Sequence, residues 1–286
     1  MTTSRESGTA AQELYDNAAA IYDRYNKDTT TTIARFMLSL APRSENDAIV
    51  LDNACGTGAL TFALLESFQP SASEGHALPT IHAVDIAPAM TASVVQKSQT
   101  LSVPDGVLQT AVMDAQSLSF ADNTFTHSYM NFGIFFLPDA ARGAAEIYRT
   151  LKPGGAAFIS TWQSLGYLDL LRASQRIVRP QDSEEELFRP MYSEVWFTEE
   201  KLRGTLVAGG FPKERITVYT KGTKLVGDDI QGLVETMLLP FGKKMEGWSG
   251  EERVRLKEVI VEGLSVEDRE TCSVDMVAFV AVAMKE

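Results

Sequence analysis

The chain has 286 residues, 44% of them hydrophobic, which suits one large domain, or a domain with a sizeable insertion, built on an ordinary globular core. Lys and Arg number 26 against 38 Asp and Glu. The resulting net charge of −12 repels phosphate backbones and argues against nucleic acid as a partner. Cys55 and Cys272 have no CxxC spacing, and His76, His82 and His127 make no metal spacing, so no metal site is expected. No apolar run approaches the roughly 20 residues of a membrane span. The polar stretch 1–12 lacks the charged-then-apolar order of a signal peptide, so a cytoplasmic chain without membrane association is expected.

Residues 1–12 read as a disordered tail. From 13 to 40, Leu14, Ala18, Ile21, Tyr22 and Tyr25, then Ile33, Phe36, Met37 and Leu40, recur at helical spacing and predict two helices broken near 26–29, an N-terminal helical cap. Alternation follows. Strand one is expected at 49–52 with a helix at 59–67, and 70–79 is a loop rich in Ser, Gly and Pro. Strand two is expected at 81–85 and a helix at 88–100, with Pro88 suiting its first turn. Strand three covers 107–112 and strand four 124–130, followed by a helix at 138–151. Pro153-Gly154-Gly155 reads as a turn into strand five at 156–162. A helix at 198–208, a strand at 216–219 and a terminal apolar strand at 273–283 complete the set. Together these predict a single α/β domain over 13–286 with a parallel sheet and helices on both faces. Segments 163–197 and 221–268 interrupt the alternation and are too long for simple connections, so they read as cover over the sheet.

In an open α/β sheet, ligands bind beyond the carboxyl ends of the strands, so the strand ends carry the chemistry. Strand one runs into Asp52-Asn53-Ala54-Cys55-Gly56-Thr57-Gly58, a turn that needs glycine twice. A dinucleotide-binding turn asks for a third glycine, and that position is Thr61. A diphosphate would also be repelled by Asp52, whereas a ligand with an amino group and a sulfonium would be attracted. Strand two ends in Asp85-Ile86, followed by Pro88 and Met90; the carboxylate can accept both hydroxyls of a ribose. After strand three, Met113-Asp114-Ala115 can meet an adenine, with Asp114 accepting from its amino group. Strand four ends at Asn131-Phe132-Gly133. One such Asp is more often a turn or helix cap. Three in order match one molecule, S-adenosylmethionine, with Tyr22, Asp52, Ala54, Gly56, Gly58, Asp85, Ile86, Met90, Asp114, Ala115 and Asn131 as the expected binding residues.

The segments 50–59, 82–90, 112–115 and Leu151-Lys152-Pro153-Gly154-Gly155 resemble the successive motifs of class I S-adenosylmethionine-dependent methyltransferases. The resemblance covers roughly residues 47–162. It implies a Rossmann-like sheet of order 3-2-1-4-5-7-6 with strand seven antiparallel. Residues 51–56, Phe132-Gly133 with Phe136-Leu137-Pro138-Asp139, and Ser160-Thr161-Trp162-Gln163 are similar to fungal small-molecule methyltransferases, above all the gliotoxin bis-thiomethyltransferase group. That likeness implies S-methylation of an epidithiodiketopiperazine-type dithiol.

The acceptor side offers residues but no clear motif. Tyr15, Phe132, Phe135, Trp162, Tyr167 and Trp196 are the candidate walls for a small, largely apolar acceptor, and aromatic faces also attract a sulfonium. The candidate bases are poor. His127 lies about 13 Å back from the strand end at ~3.3 Å per residue, His82 opens strand two, and His76 sits in the loop. This leans toward a thiol, amine or already acidic hydroxyl, with O- or N-methylation as the alternative. An NAD(P)-binding reductase and a non-catalytic cofactor-binding regulator are the readings from other classes. Monomer and homodimer both remain open.

Overall fold

The computed structural model describes residues 29–41, 48–68 and 78–286. The expected tail, the first cap helix with Tyr15 and Tyr22, and most of the 70–79 loop with His76 lie outside the described residues. Helix α1 spans residues 29–40. Then come β1 (Ile49–Asn53), α2 (Ala59–Ser67), β2 (Thr80–Asp85), α3 (Pro88–Thr100), β3 (Leu108–Val112), β4 (Phe125–Asn131), α4 (Ala140–Thr150) and β5 (Leu151–Leu165). The remainder comprises α5 (Leu168–Val178), α6 (Glu199–Ala208), β6 (Ile216–Val226), α7 (Ile230–Leu238), α8 (Gly250–Gly263), α9 (Val266–Thr271) and β7 (Ser273–Met284).

Local chemistry sets the helix starts. Pro88 opens α3, where its missing N–H costs nothing. Asp139 caps α4 by accepting the Arg142 amide at 3.0 Å. Ser249 and Glu252 form a reciprocal capping box at α8. Among the described residues no helix is long and apolar enough to cross a membrane.

The seven strands form one sheet in the order β3-β2-β1-β4-β5-β7-β6. The pairs from β3 through β5 are parallel, and β7 lies antiparallel between β5 and β6. The chain leaves β1 toward β2 and β3, then returns to start β4 on the other side of β1. This reversal opens a crevice at the carboxyl ends of β1 and β4, because the following connections depart in opposite directions. Phe158 sits at the middle of the sheet, fully buried. It pairs with Tyr129 on one side and Val282 on the other, and its ring stacks on Tyr129 at 4.7 Å.

The structure revises three expectations. Pro153-Gly154-Gly155 is not a turn before β5 but a bulge within it: Leu151 pairs with Phe125 and Ala156 with His127, so the extra residues are looped out between them. Backbone bonds of Gly154 and Gly155 with Lys285, both 2.9 Å, keep the bulge in the sheet. At its other end β5 runs to Leu165, so the first cover segment starts later than residue 163. The second starts later than residue 221, because β6 continues to Val226 in register with β7. Lys221, Gly222 and Lys224 mask that edge strand in the sequence, since its outer side faces solvent and carries no apolar repeat. The rest of the two segments is helical or irregular, with α5 and two short 3-10 turns in the first and α7 to α9 in the second. Arg179, at the end of α5, pairs with Glu252 of α8 at 2.6 Å and lies over the Trp248 ring at 5.0 Å.

Phe158→Ala should remove the central ring of the sheet and destabilise the fold by about 3–5 kcal/mol. Urea unfolding followed by circular dichroism measures this directly; a loss under 1 kcal/mol would show that Phe158 is not central.

Candidate functional site

The turn after β1 bends through left-handed backbone at Ala54, Gly56 and Gly58, with φ of 56°, 54° and 89°. Gly58 has no room for a side chain. A Cβ there would lie 2.7 Å from the Phe62 ring, in a conformation that side chains rarely adopt. It also cannot cap α2, which begins at the next residue. Asp52 does so from the strand: its Oδ2 accepts the Thr61 amide at 3.0 Å and the Thr61 hydroxyl at 2.6 Å. The residue that breaks the three-glycine pattern is thus the partner of the strand-end acid.

Asp85 joins two turns. Its Oδ2 accepts the Gly56 amide at 2.8 Å, and its Oδ1 accepts the Ala87 amide at 3.0 Å. Asp114 repeats the local geometry, with Oδ1 accepting the Gln116 amide at 2.8 Å and the Gln116 side chain at 3.1 Å. Gln116 Oε1 in turn accepts the Asp139 amide at 2.8 Å, tying the loop after β3 to the start of α4. At the end of β4, Asn131 donates from Nδ2 to the Thr30 carbonyl at 3.1 Å and accepts from the Ser160 hydroxyl at 2.8 Å. Gly133 lets the β4 turn approach the β1 turn, since a Cβ on it would lie 2.8 Å from that of Ala54.

These turns enclose a cleft of about 1010 Å³ counted to its open mouth. Of the expected cofactor residues, Asp52, Ala54, Gly56, Asp85, Ile86, Met90, Asp114, Ala115 and Asn131 line it. Gly58 does not; it packs behind the turn against Phe62 and Val94. Of the acceptor candidates among the described residues, only Phe132 reaches the wall. Trp162 stands directly behind it, stacked at 4.0 Å and 16°. Phe135 tilts against Phe132 at 6.4 Å and connects to Tyr192 at 4.2 Å and Trp196 at 6.4 Å in the first cover segment. Tyr167 is buried away from this wall, and burial raises its phenol well above the ordinary range.

Gly133, named at the end of strand four, and Phe136 also line the cleft, together with residues that the strand-end reading did not assign: Thr30, Thr57, Ala59, Leu60, Gln116, Leu137 and Pro138. Thr30 comes from α1, and nothing local in the sequence links it to β4. Leu137 and Pro138 follow Gly133 closely, so their place just past a strand end is a signal that could have assigned them to the wall.

Among the described residues of the wall there is no histidine, lysine or arginine. His127 packs on Tyr129 and Phe158, bonds to Thr126 at 2.9 Å, and burial lowers its pKa. His82 lies edge-on to Phe120 and Phe125, and burial lowers its pKa too. Burial, and then the carboxylates of Asp52 and Asp85, push the Cys55 thiol up, so it is an inert lining group.

Burial pushes the Asp52 carboxyl up to about 6 against the pull of its Thr61 bonds. The folded state therefore holds a proton that the unfolded chain has released, and this group's stabilisation fades as pH rises from about 4 through 6. Asp52→Asn has no such dependence. Its melting temperature relative to the parent should rise between pH 4 and pH 7, as thermal melts in matched buffers would show; a constant difference would contradict the buried-acid assignment.

The comparisons with known proteins agree with this geometry. Residues 51–159 match the family described as a methyltransferase domain. The chain is 27% identical over 215 residues to the acetylaranotin bis-thiomethyltransferase of Aspergillus terreus, covering 74% of this chain and 71% of that one. It is 23% identical over 269 residues to the methyltransferase ktnA of Aspergillus niger, covering 85% and 86%. Among solved structures, the YcgJ protein of Bacillus subtilis shares the fold with a TM-score of 0.55 at 14% identity, over 89% of this chain and 99% of that one. The strand order and the methyltransferase-domain match agree, and the chain is a class I S-adenosylmethionine-dependent methyltransferase, similar to methyltransferases of Aspergillus species.

Proposed function

We propose that the enzyme S-methylates a small, largely apolar metabolite, with a dithiol of the epidithiodiketopiperazine type as its acceptor. The observation that carries this reading is the absence of a histidine or lysine among the described residues of the cleft. An aliphatic hydroxyl needs a base to become nucleophilic, whereas a thiol with pKa near ~8.5 is already partly ionised. The named activity of the Aspergillus terreus relative supports the same choice.

When bound, S-adenosylmethionine supplies a methyl group on a cationic sulfonium, transferred by in-line displacement. The chain's share is then placement and electrostatics, and placement alone can contribute up to about 7–11 kcal/mol. Asp85, at the end of β2 and on the cleft wall, is the acid placed to accept the two ribose hydroxyls. Asp114 is the acid for the adenine amino group, with Met113 and Ala115 against the ring. Asp52 Oδ1 is left for the cationic amino acid end. Phe132, backed by Trp162, and the Phe136–Pro138 stretch form the apolar side.

Asp85→Ala should weaken S-adenosylhomocysteine binding about 10- to 100-fold, the worth of hydrogen bonds to a charged group. Isothermal titration reads this, and unchanged affinity would sink the ribose assignment. A parallel titration with NADH should show no binding, which removes the reductase reading.

For the acceptor, the reduced dithiol is incubated with labelled donor and followed by mass spectrometry. A gain of one or two methyl groups on sulfur is expected, with a rate that rises with pH as the thiol itself ionises. Methylation of hydroxyl acceptors alone would replace this reading with O-methylation. Failure with every thiol, hydroxyl and amine in a metabolite extract would favour a cofactor-binding regulator.

A further inference from the structure

Among the described residues, Phe132 is the one large side chain at the cleft wall with left-handed backbone, at φ 60°. A bulky residue in that region costs about 1–3 kcal/mol and persists only where its surroundings hold it. Its backbone amide donates to the hydroxyl of Ser160 at 2.9 Å. The same hydroxyl donates to Asn131 Oδ1 at 2.8 Å, and Asn131 Nδ2 donates to the Thr30 carbonyl of α1 at 3.1 Å. Ser160 is fully buried and sits two residues before Trp162, on the same face of β5. The strand therefore supplies both halves of the clamp. Ser160 grips the backbone of Phe132, and Trp162 stacks on its ring.

We infer that Ser160 is a positioning residue for methyl transfer, holding Phe132 in its left-handed conformation so that the ring forms the acceptor side of the cleft. The inference rests on the reading of Phe132 as acceptor wall. Each atom of the Ser160 hydroxyl is committed: the hydrogen goes to Asn131 and a lone pair takes the Phe132 amide. Removing it leaves the buried Phe132 amide and the half-buried Asn131 Oδ1 without this partner, and frees Phe132 to relax toward ordinary φ. Because Asn131 also binds the Thr30 carbonyl, the same chain of bonds joins the seat of α1 to the position of the ring.

The test is a double-mutant cycle in the full chain with Ser160→Ala, Phe132→Ala and the double variant. With the reduced dithiol as acceptor, Ser160→Ala should raise KM about tenfold, the order of one buried hydrogen bond. Its affinity for S-adenosylhomocysteine should stay within about threefold of the parent. In the Phe132→Ala background, Ser160→Ala should add less than about twofold. The near-ultraviolet circular dichroism of the Trp162 stack should fall in Ser160→Ala and Phe132→Ala alike, and no further in the double variant. A Ser160→Ala effect that persists in full without Phe132, or a variant with unchanged KM and unchanged dichroism, overturns the inference. If Ser160→Ala does not fold, Ser160→Cys is judged by the same criteria. Should the dithiol not be a substrate, the proposed acceptor fails, while the dichroism cycle needs no acceptor and still decides whether Ser160 holds Phe132 against Trp162.

Discussion

The hydrogen bond from the Gly56 amide to Asp85 joins the turn after β1 to the end of β2. Parallel pairing already sets Asn53 beside Val84, but pairing stops there, and nothing in a sheet dictates how the next residues leave it. The carboxylate of Asp85 takes the amide of one turn with one oxygen and that of its own turn with the other. With the Cys55 amide donating to the Val84 carbonyl at 2.9 Å, these bonds make the two loops a single wall. Asp52 does the same for the helix behind that wall by capping α2 through Thr61. The cleft is thus assembled by the acids that read as ligand groups in the sequence. A carboxylate has acceptor sites for both tasks, so turn-building and ligand-binding are not competing roles.

This arrangement concentrates negative charge. Asp52, Asp85 and Asp114 face one cavity whose described lining includes no cationic side chain. The raised pKa of Asp52 follows chiefly from burial, with a smaller contribution from Asp85. A cation entering the cleft relieves both effects, since it restores the interactions that water had provided and offsets the repulsion between the acids. A donor carrying an ammonium and a sulfonium suits such a wall, and a diphosphate does not. Cys55 experiences the same field in the opposite sense: as a thiolate it would add another negative charge, so it stays protonated and packs as a small apolar group.

The cofactor half was readable because it is built from local sequence. β1, its turn and α2 lie within twenty residues, and each acid meets its backbone partner within a few residues or across one strand pairing. The acceptor half was not. Phe132 was identified by its place at a strand end. Trp162, Phe135 and Trp196 were identified as aromatic and nearby, and they proved to form the layers behind it. Sequence gives the order of residues along a strand, but not which ring stands in front. Thr30 shows the limit most clearly, since its contact with Asn131 crosses 101 positions and depends on how α1 lies on the sheet. The β6 extension was hidden for another reason: an edge strand with a solvent-facing side has no apolar periodicity to detect.

The two halves also differ in how they resist change. On the proposed reading, donor recognition is distributed over short acidic side chains at three strand ends, so no single ring sets the shape of that side. The acceptor side depends on one strained aromatic residue, held by Ser160 at its backbone and Trp162 at its ring. Behind Phe135 the wall passes to Tyr192 and Trp196, which belong to the first cover segment rather than the sheet. Substitutions in that segment can reshape the proposed acceptor side without disturbing the acids at the strand ends. The same physical separation explains why the methyl donor can be named from the strand ends, while the acceptor has to be argued from chemistry at the wall.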